Sequence, residues 1–194
     1  MRWTALSGTA FVVGFVVAVV VFGSGAGGHP AQIVSYYSDH GNRERQLVGF
    51  YALGVAILFF VPFAQSLSST LAAPLVFAFG VMVALLLFAA DVLWAATAVT
   101  AQHEQGFILD PSTHLIVEDA GFTFFLAAML AATAFVATAS IAILRRRALH
   151  RLLGAAGLPV AVSLAAAWYY LPLFAFLAWV LAASLLCFFG RQNA

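Results

Sequence analysis

Six apolar stretches dominate this chain, and each is long enough to cross the ~30 Å hydrocarbon layer of a bilayer. They cover residues 6–22, 47–64, 71–99, 120–144, 152–168 and 173–189. A backbone inside hydrocarbon must satisfy its own N–H and C=O groups, and helices do this within one segment. Composition agrees. The 194 residues are 64% hydrophobic and 8% charged, whereas a soluble domain carries about 25% charged residues. The expected fold class is all-α: a polytopic membrane helix bundle forming a single integral membrane domain over residues 1–194. Residues 152–189 as one helix would measure roughly 55 Å, more than a bilayer needs. Trp168, Tyr169 and Tyr170 instead resemble an interfacial belt, with Pro172 suited to a helix restart. Two short spans in a tight hairpin are therefore expected.

Arginine placement sets the expected orientation. Arg2 precedes the first span, Arg145, Arg146, Arg147 and Arg151 lie between the fourth and fifth, and Arg191 follows the sixth. With six spans these fall on one side, and the positive-inside rule puts both termini in the cytoplasm. Arg43 and Arg45 fall opposite, with Asp39, Glu44, Glu104, Asp110, Glu118, Asp119, His29, His40, His103 and His114. The N-terminal apolar run exceeds the usual ~7–15 residues of a secretory core, so an uncleaved anchor is expected. A multi-pass protein of a bacterial cytoplasmic (plasma, or cell inner) membrane follows.

Two segments between spans hold most of the polar residues. In the first, Pro30 suits a helix start and Gly41 a stop, with Ile33, Tyr36, Tyr37 and His40 on one face. This spacing predicts a short amphipathic interfacial helix with its tyrosines at headgroup level. The second, residues 100–118, reads as a loop around Gly106, Asp110 and Pro111. Residues 65–70 read as a turn in which Ser68, Ser69 or Thr70 caps the third span, with Pro74 in its first turn. Pro62 is expected to kink the second span.

Asp91 is the intramembrane polar or ion candidate. A carboxylate at mid-span costs about 2.5–3.5 kcal/mol on insertion scales, which makes it a site hypothesis by default. Gly80, Ala84, Ala95 and Ala98 share its face and favour close helix approach. Arg43 or Arg45 is the expected partner in a structural ion pair, and a proton or ion site is the alternative. His40, His103, His114 and Glu118 are the candidate metal ligands, since imidazole and carboxylate suit zinc or copper. His114 and Glu118, four apart, would share a face if helical. Solvated loop histidines are the competing reading. Glu118 and Asp119 would also complement the start of a fourth helix. Arg145, Arg146, Arg147 and Arg151 read as a topology signal contacting lipid headgroups rather than nucleic acid. No phosphate-binding glycine loop, nucleophile elbow or intramembrane haem histidine pair is present, and Cys187 has no second cysteine to bridge.

Three stretches, FYALGVAILFFVPFAQSL at 50–67, LRRRALHRLLGAAGL at 144–158 and FLAWVLAASLL at 176–186, resemble a family of uncharacterised multi-pass integral membrane proteins abundant in actinobacteria. The resemblance implies Ala-, Leu- and Val-rich spans with a basic cytoplasmic turn before a final hairpin. It implies no activity and no site residues. The residues themselves point first to a non-catalytic integral membrane protein, either an accessory subunit or a binder of lipid or a small hydrophobic ligand. A small channel or proton-linked transporter using Asp91 is the alternative. An outer-face metal-dependent enzyme using His103, His114 and Glu118 is the second. The expected partners are membrane lipids and no nucleic acid, with a homo-oligomer or a larger membrane complex as the open assemblies; metal is the one cofactor considered.

Overall fold

The computed structural model describes residues 3–23, 25, 27–104, 107–146, 149–166 and 171–189. Trp168, Tyr169, Tyr170, Arg2, Arg147, Arg191 and Gly106 lie outside the described residues. The described chain is all-helical: α1 (Trp3–Phe22), α2 (Pro30–Ser38), α3 (His40–Leu71), α4 (Pro74–His103), α5 (Pro111–Arg146), α6 (Arg151–Leu164) and α7 (Leu171–Phe189). Five of these, α1, α3, α4, α5 and α7, are long and apolar enough to cross a membrane. α6 has 14 residues, about 21 Å at 1.5 Å per residue, and is shorter than the other five.

Several helices extend beyond their apolar stretches, because polar residues continue a helix that hydropathy alone would end. α3 begins at His40 and runs without interruption through Pro62 to Leu71. The expected 65–70 turn is therefore helical, and Ser69 and Thr70 donate back to the Gln65 and Ser66 carbonyls rather than capping α4. The actual turn is Ala72–Ala73, closed by Ala72 in the left-handed region at φ 48°. Pro74 does open α4. Gly41 does not stop α2 either. α2 ends at Ser38, and the Asp39 carboxylate accepts from the Asn42 N–H at 2.8 Å to cap α3. Much of the supposed 100–118 loop is helical, since α4 reaches His103 and α5 starts at Pro111. α7 starts at Leu171 with Pro172 in its first turn, so the chain from 151 onward does form two helices.

The long helices close into a ring in which α1 packs on α3, α3 on α4, α4 on α5, α5 on α6, α6 on α7 and α7 on α1. Small residues set the closest approaches. A Cβ at Gly80 would lie 2.5 Å from that of Ala64, and one at Gly14 would lie 2.8 Å from that of Ala56. The first and last helices are tied by polar bonds: the Thr9 N–H donates to Ser184 Oγ at 3.1 Å, and Ser184 Oγ donates to the Ala5 carbonyl. The start of α1 thus lies beside the end of α7. Phe11, Phe60, Phe63, Phe135 and Phe176 fill the middle, all fully buried. Phe60 touches Phe11, Phe63, Phe135 and Phe176 with ring centroids 4.8–6.1 Å apart. Outward-facing Val20, Leu58, Leu85, Leu130 and Val162 are exposed, the apolar surface a lipid-embedded bundle presents.

The antiparallel packing sorts charge to opposite ends. The basic end carries the α3–α4 turn, the end of α5 with Arg145 and Arg146, and the start of α6 with Arg151. The acidic end carries α2, the start of α3, Glu104 and Asp110 between α4 and α5, and Glu118 and Asp119 in the early turns of α5.

Candidate functional site at the acidic end

α2 folds back onto the acidic end of the bundle. Ile33 and Tyr37 are buried there against Ala98, with Leu47, Leu109 and Leu115 alongside. Tyr37 thus packs into protein. Burial pushes its phenol up to about 12, opposed by a hydrogen bond from the Gln46 side chain. The Tyr37 ring meets the His114 ring edge-on at 5.0 Å.

α5 starts earlier than its apolar stretch because Asp110 organises its first turn. The carboxylate accepts from the Thr113 hydroxyl at 2.7 Å and from the Thr113 and Ser112 N–H groups at 3.1 and 3.3 Å. The Thr113 hydroxyl, then those N–H groups, hold its carboxyl below the usual carboxylate range. Glu118 and Asp119 therefore lie two turns into α5, beyond the reach of its N-terminal dipole. The early start makes His114 helical and buried, 6% exposed, not a solvated loop residue. Its Nδ1 lies 3.0 Å from Thr97 Oγ1, and its Nε2 lies 3.4 Å from Glu118. The i, i+4 pairing of His114 with Glu118 is thus present.

The remaining candidate ligands are elsewhere. His40 opens α3 and meets Glu44 at 3.2 Å, while His103 ends α4. Among the described residues no group of three His, Cys, Asp or Glu side chains is placed to hold a metal. The described lipid-facing candidates Arg145, Arg146 and Arg151 are exposed at the basic end.

Asp91 faces protein as its small-residue stripe predicts, and its relative exposure is 0%. Gly80, Ala84, Ala95 and Ala98 are buried on the same face. The expected pairing with Arg43 or Arg45 is not made. Arg43 donates instead to the Tyr37 carbonyl at 2.8 Å and to Gln102 Oε1 at 3.2 Å, and Arg45 is exposed. Among the described residues neither carboxylate oxygen of Asp91 has a hydrogen-bond partner. It faces Gly54 of α3, where a Cβ would lie 3.8 Å from Oδ2. The geometric reason is register: Gly54 and Asp91 are equally far from the Ala72–Ala73 turn, whereas Arg43 lies about three helical turns nearer the acidic end.

Between α1, α3, α4 and α5 the acidic end opens into a cleft of about 580 Å³. Its lining mixes apolar Val19, Phe22, Leu93, Trp94 and Phe122 with polar Tyr37, Gln46, His114, Glu118 and Asp119. Trp94 leans over Gly121, where a Cβ would meet the indole at 2.7 Å. Gln46 is 8% exposed, and its Oε1 is buried without a partner among the described residues. Reading by apolar spans missed Gln46, Thr97 and Gly54. Gln46 carried a signal as an uncharged polar residue one position before an apolar span, and Gly54 carried one in its symmetry with Asp91 about the turn.

The fold and site define a multi-span helical membrane bundle with a mixed polar and apolar cleft at its acidic end. Comparison with protein-family models, with curated proteins and with solved structures found no match.

Proposed function

We propose that this protein is a non-catalytic integral membrane protein, an accessory or binding component that takes a small amphiphile into the acidic-end cleft. The observation that carries this reading is the cleft itself, about 580 Å³ and lined by both apolar and polar side chains. Small-molecule sites have this form, a mostly apolar hollow with a few placed polar groups. The reading includes six crossings with α6 as a short one, both termini cytoplasmic and the acidic end outward in a bacterial plasma membrane. The proximity of α1's start to α7's end supports an even number of crossings, and the arginines at the basic end support the orientation. Membership of the actinobacterial family named above belongs to the same proposal. The test is native mass spectrometry of the protein released from detergent, beside a cleft-filling Leu93→Trp variant. Wild type should retain a small amphiphile that the variant lacks, with melting temperature unchanged. Equal retention, or none in wild type, overturns the reading.

A second reading, proton-linked transport, is favoured by one observation: Asp91 is buried with both oxygens unpartnered among the described residues. Burying a carboxylate without a partner is costly, and such residues mark proton relays in membrane proteins. The packed phenylalanines below it mean that transport would require the ring to reopen. Proton flux into liposomes that disappears with Asp91→Asn supports this reading, and flux unchanged by the substitution ends it.

A further inference from the structure

We infer that the cleft selects a cationic amphiphile, an organic ammonium on an apolar body. This rests on the binder reading and goes further by fixing the ligand's charge. The polar lining offers acceptors and negative charge. Glu118 and Asp119 present carboxylates, both exposed toward solvent. Gln46, an independent observation, is over nine-tenths buried, and its carbonyl oxygen has no donor among the described residues. Its side chain lies against the Tyr36 and Tyr37 phenols, and its unpartnered carbonyl oxygen can accept from an incoming N–H. A buried acceptor without a donor costs about 1–3 kcal/mol, so a ligand that donates there is favoured.

The cationic groups nearby offset these carboxylates only in part. Arg43 is engaged by the Tyr37 carbonyl and Gln102. Arg45 lies at the rim, with Nη1 3.9 Å from where a Gly23 Cβ would stand. His114 is held between Thr97 and Glu118. Apolar walls focus such a potential into a cleft. Trp94, Phe22, Phe122 and Tyr37 line it with aromatic rings, whose faces attract ammonium groups. Apolar Val19 and Leu93 receive the ligand's body.

The test uses the full chain in nanodiscs of zwitterionic lipid. Three probes share one chain length: decylammonium, decanol and decyl sulfate. Binding is read from intrinsic tryptophan fluorescence, with Trp94→Phe as the control for signal origin. Decylammonium should bind about tenfold tighter than decanol, with decyl sulfate weakest, the tenfold step being the usual size of one good charge-assisted contact. The double variant E118Q and D119N should bring decylammonium and decanol to parity, and Arg45→Gln should tighten decylammonium. Gln46→Leu should weaken decylammonium while leaving decanol unchanged. Equal binding of decylammonium and decanol in wild type, both lost in Leu93→Trp, would overturn the cation inference and keep the binder reading. Tighter binding of decyl sulfate would also overturn it. No binding by any probe would overturn both.

Discussion

The two halves of the bundle solve the same packing problem in opposite ways. From the middle toward the basic end, helices meet through small residues and a filled cluster of phenylalanines, Ser184 is bonded to a neighbouring helix, and one hydroxyl, Ser140 Oγ, is buried without a partner among the described residues. Toward the acidic end, helices part around a cleft, and Asp91 and Gln46 carry buried oxygens without partners among the described residues. Natural bundles rarely leave such groups unsatisfied, and where they do a ligand, water or function is the usual reason. The contrast locates stability in one half and chemistry in the other.

The largest expected effect tests the packed half. Phe60 is fully buried against four other phenylalanines. Phe60→Ala should cost about 3–5 kcal/mol, because the ring closes around it too tightly to collapse into the hole. Phe122→Ala, on the cleft wall, should cost well under half of that. Thermal unfolding in detergent measures both. Equal losses would mean that the two halves are packed alike.

Next in size is a pH effect confined to the acidic end. Burial raises the Tyr37 phenol from 10.0 to about 12. Above pH 10 the unfolded chain gives up that proton while the folded chain keeps it. Stability is therefore intact below pH 10 and falls as pH rises toward 12. The loss approaches about 2–3 kcal/mol at the upper limit. Tyr37→Phe should flatten the melting temperature over this range. A wild-type profile that matches the variant's would place Tyr37 in water.

How far the sequence foretells this contrast depends on what kind of signal each part leaves. Apolar spans are legible because crossing hydrocarbon demands a run of some twenty apolar residues. The inward face of Asp91 is legible because Gly80, Ala84, Ala95 and Ala98 recur at helical spacing. Helix ends are not. His40 to Gln46, Thr100 to His103 and Pro111 to Asp119 are polar, so hydropathy ends each span while the hydrogen-bonded backbone continues. That single error turned His114 into a loop residue and moved Glu118 to a helix start. The pairing of Asp91 failed for a different reason. Partner choice depends on depth along two helices, and Arg43 lies too far toward the acidic end. The cleft leaves no linear signal, since its walls come from α1, α2, α3, α4 and α5.

Asp91 itself gives the third test, and its sign separates the halves. An ion pair would make its removal destabilising. With both oxygens unpartnered among the described residues, Asp91→Ala should instead raise stability by about 2 kcal/mol, since it removes an unsatisfied buried group and leaves an alanine between Ala84 and Ala95. A lower melting temperature would show that the carboxylate holds a partner and that the acidic half is as satisfied as the basic one.

The smallest effect lies at the basic end and concerns backbone, not side chains. Ala72 closes α3 at φ 48° and ψ 41°, with its N–H directed to the Ser68 and Ser69 carbonyls. A Cβ in the left-handed region crowds the following carbonyl, a cost of roughly 1–2 kcal/mol that glycine escapes. Ala72 is exposed, so no packing is lost with its methyl group. Ala72→Gly should raise stability by about 0.5–1 kcal/mol once the greater freedom of glycine in the unfolded chain is subtracted. The turn at the other end is built differently, with Asp110 binding the first N–H groups of α5 through its carboxylate. Asp110→Gly should therefore destabilise where Ala72→Gly stabilises, and the difference should shrink as acid protonates Asp110. If the two glycine variants shift melting in the same direction at neutral pH, the strain assigned to the α3–α4 turn is not there.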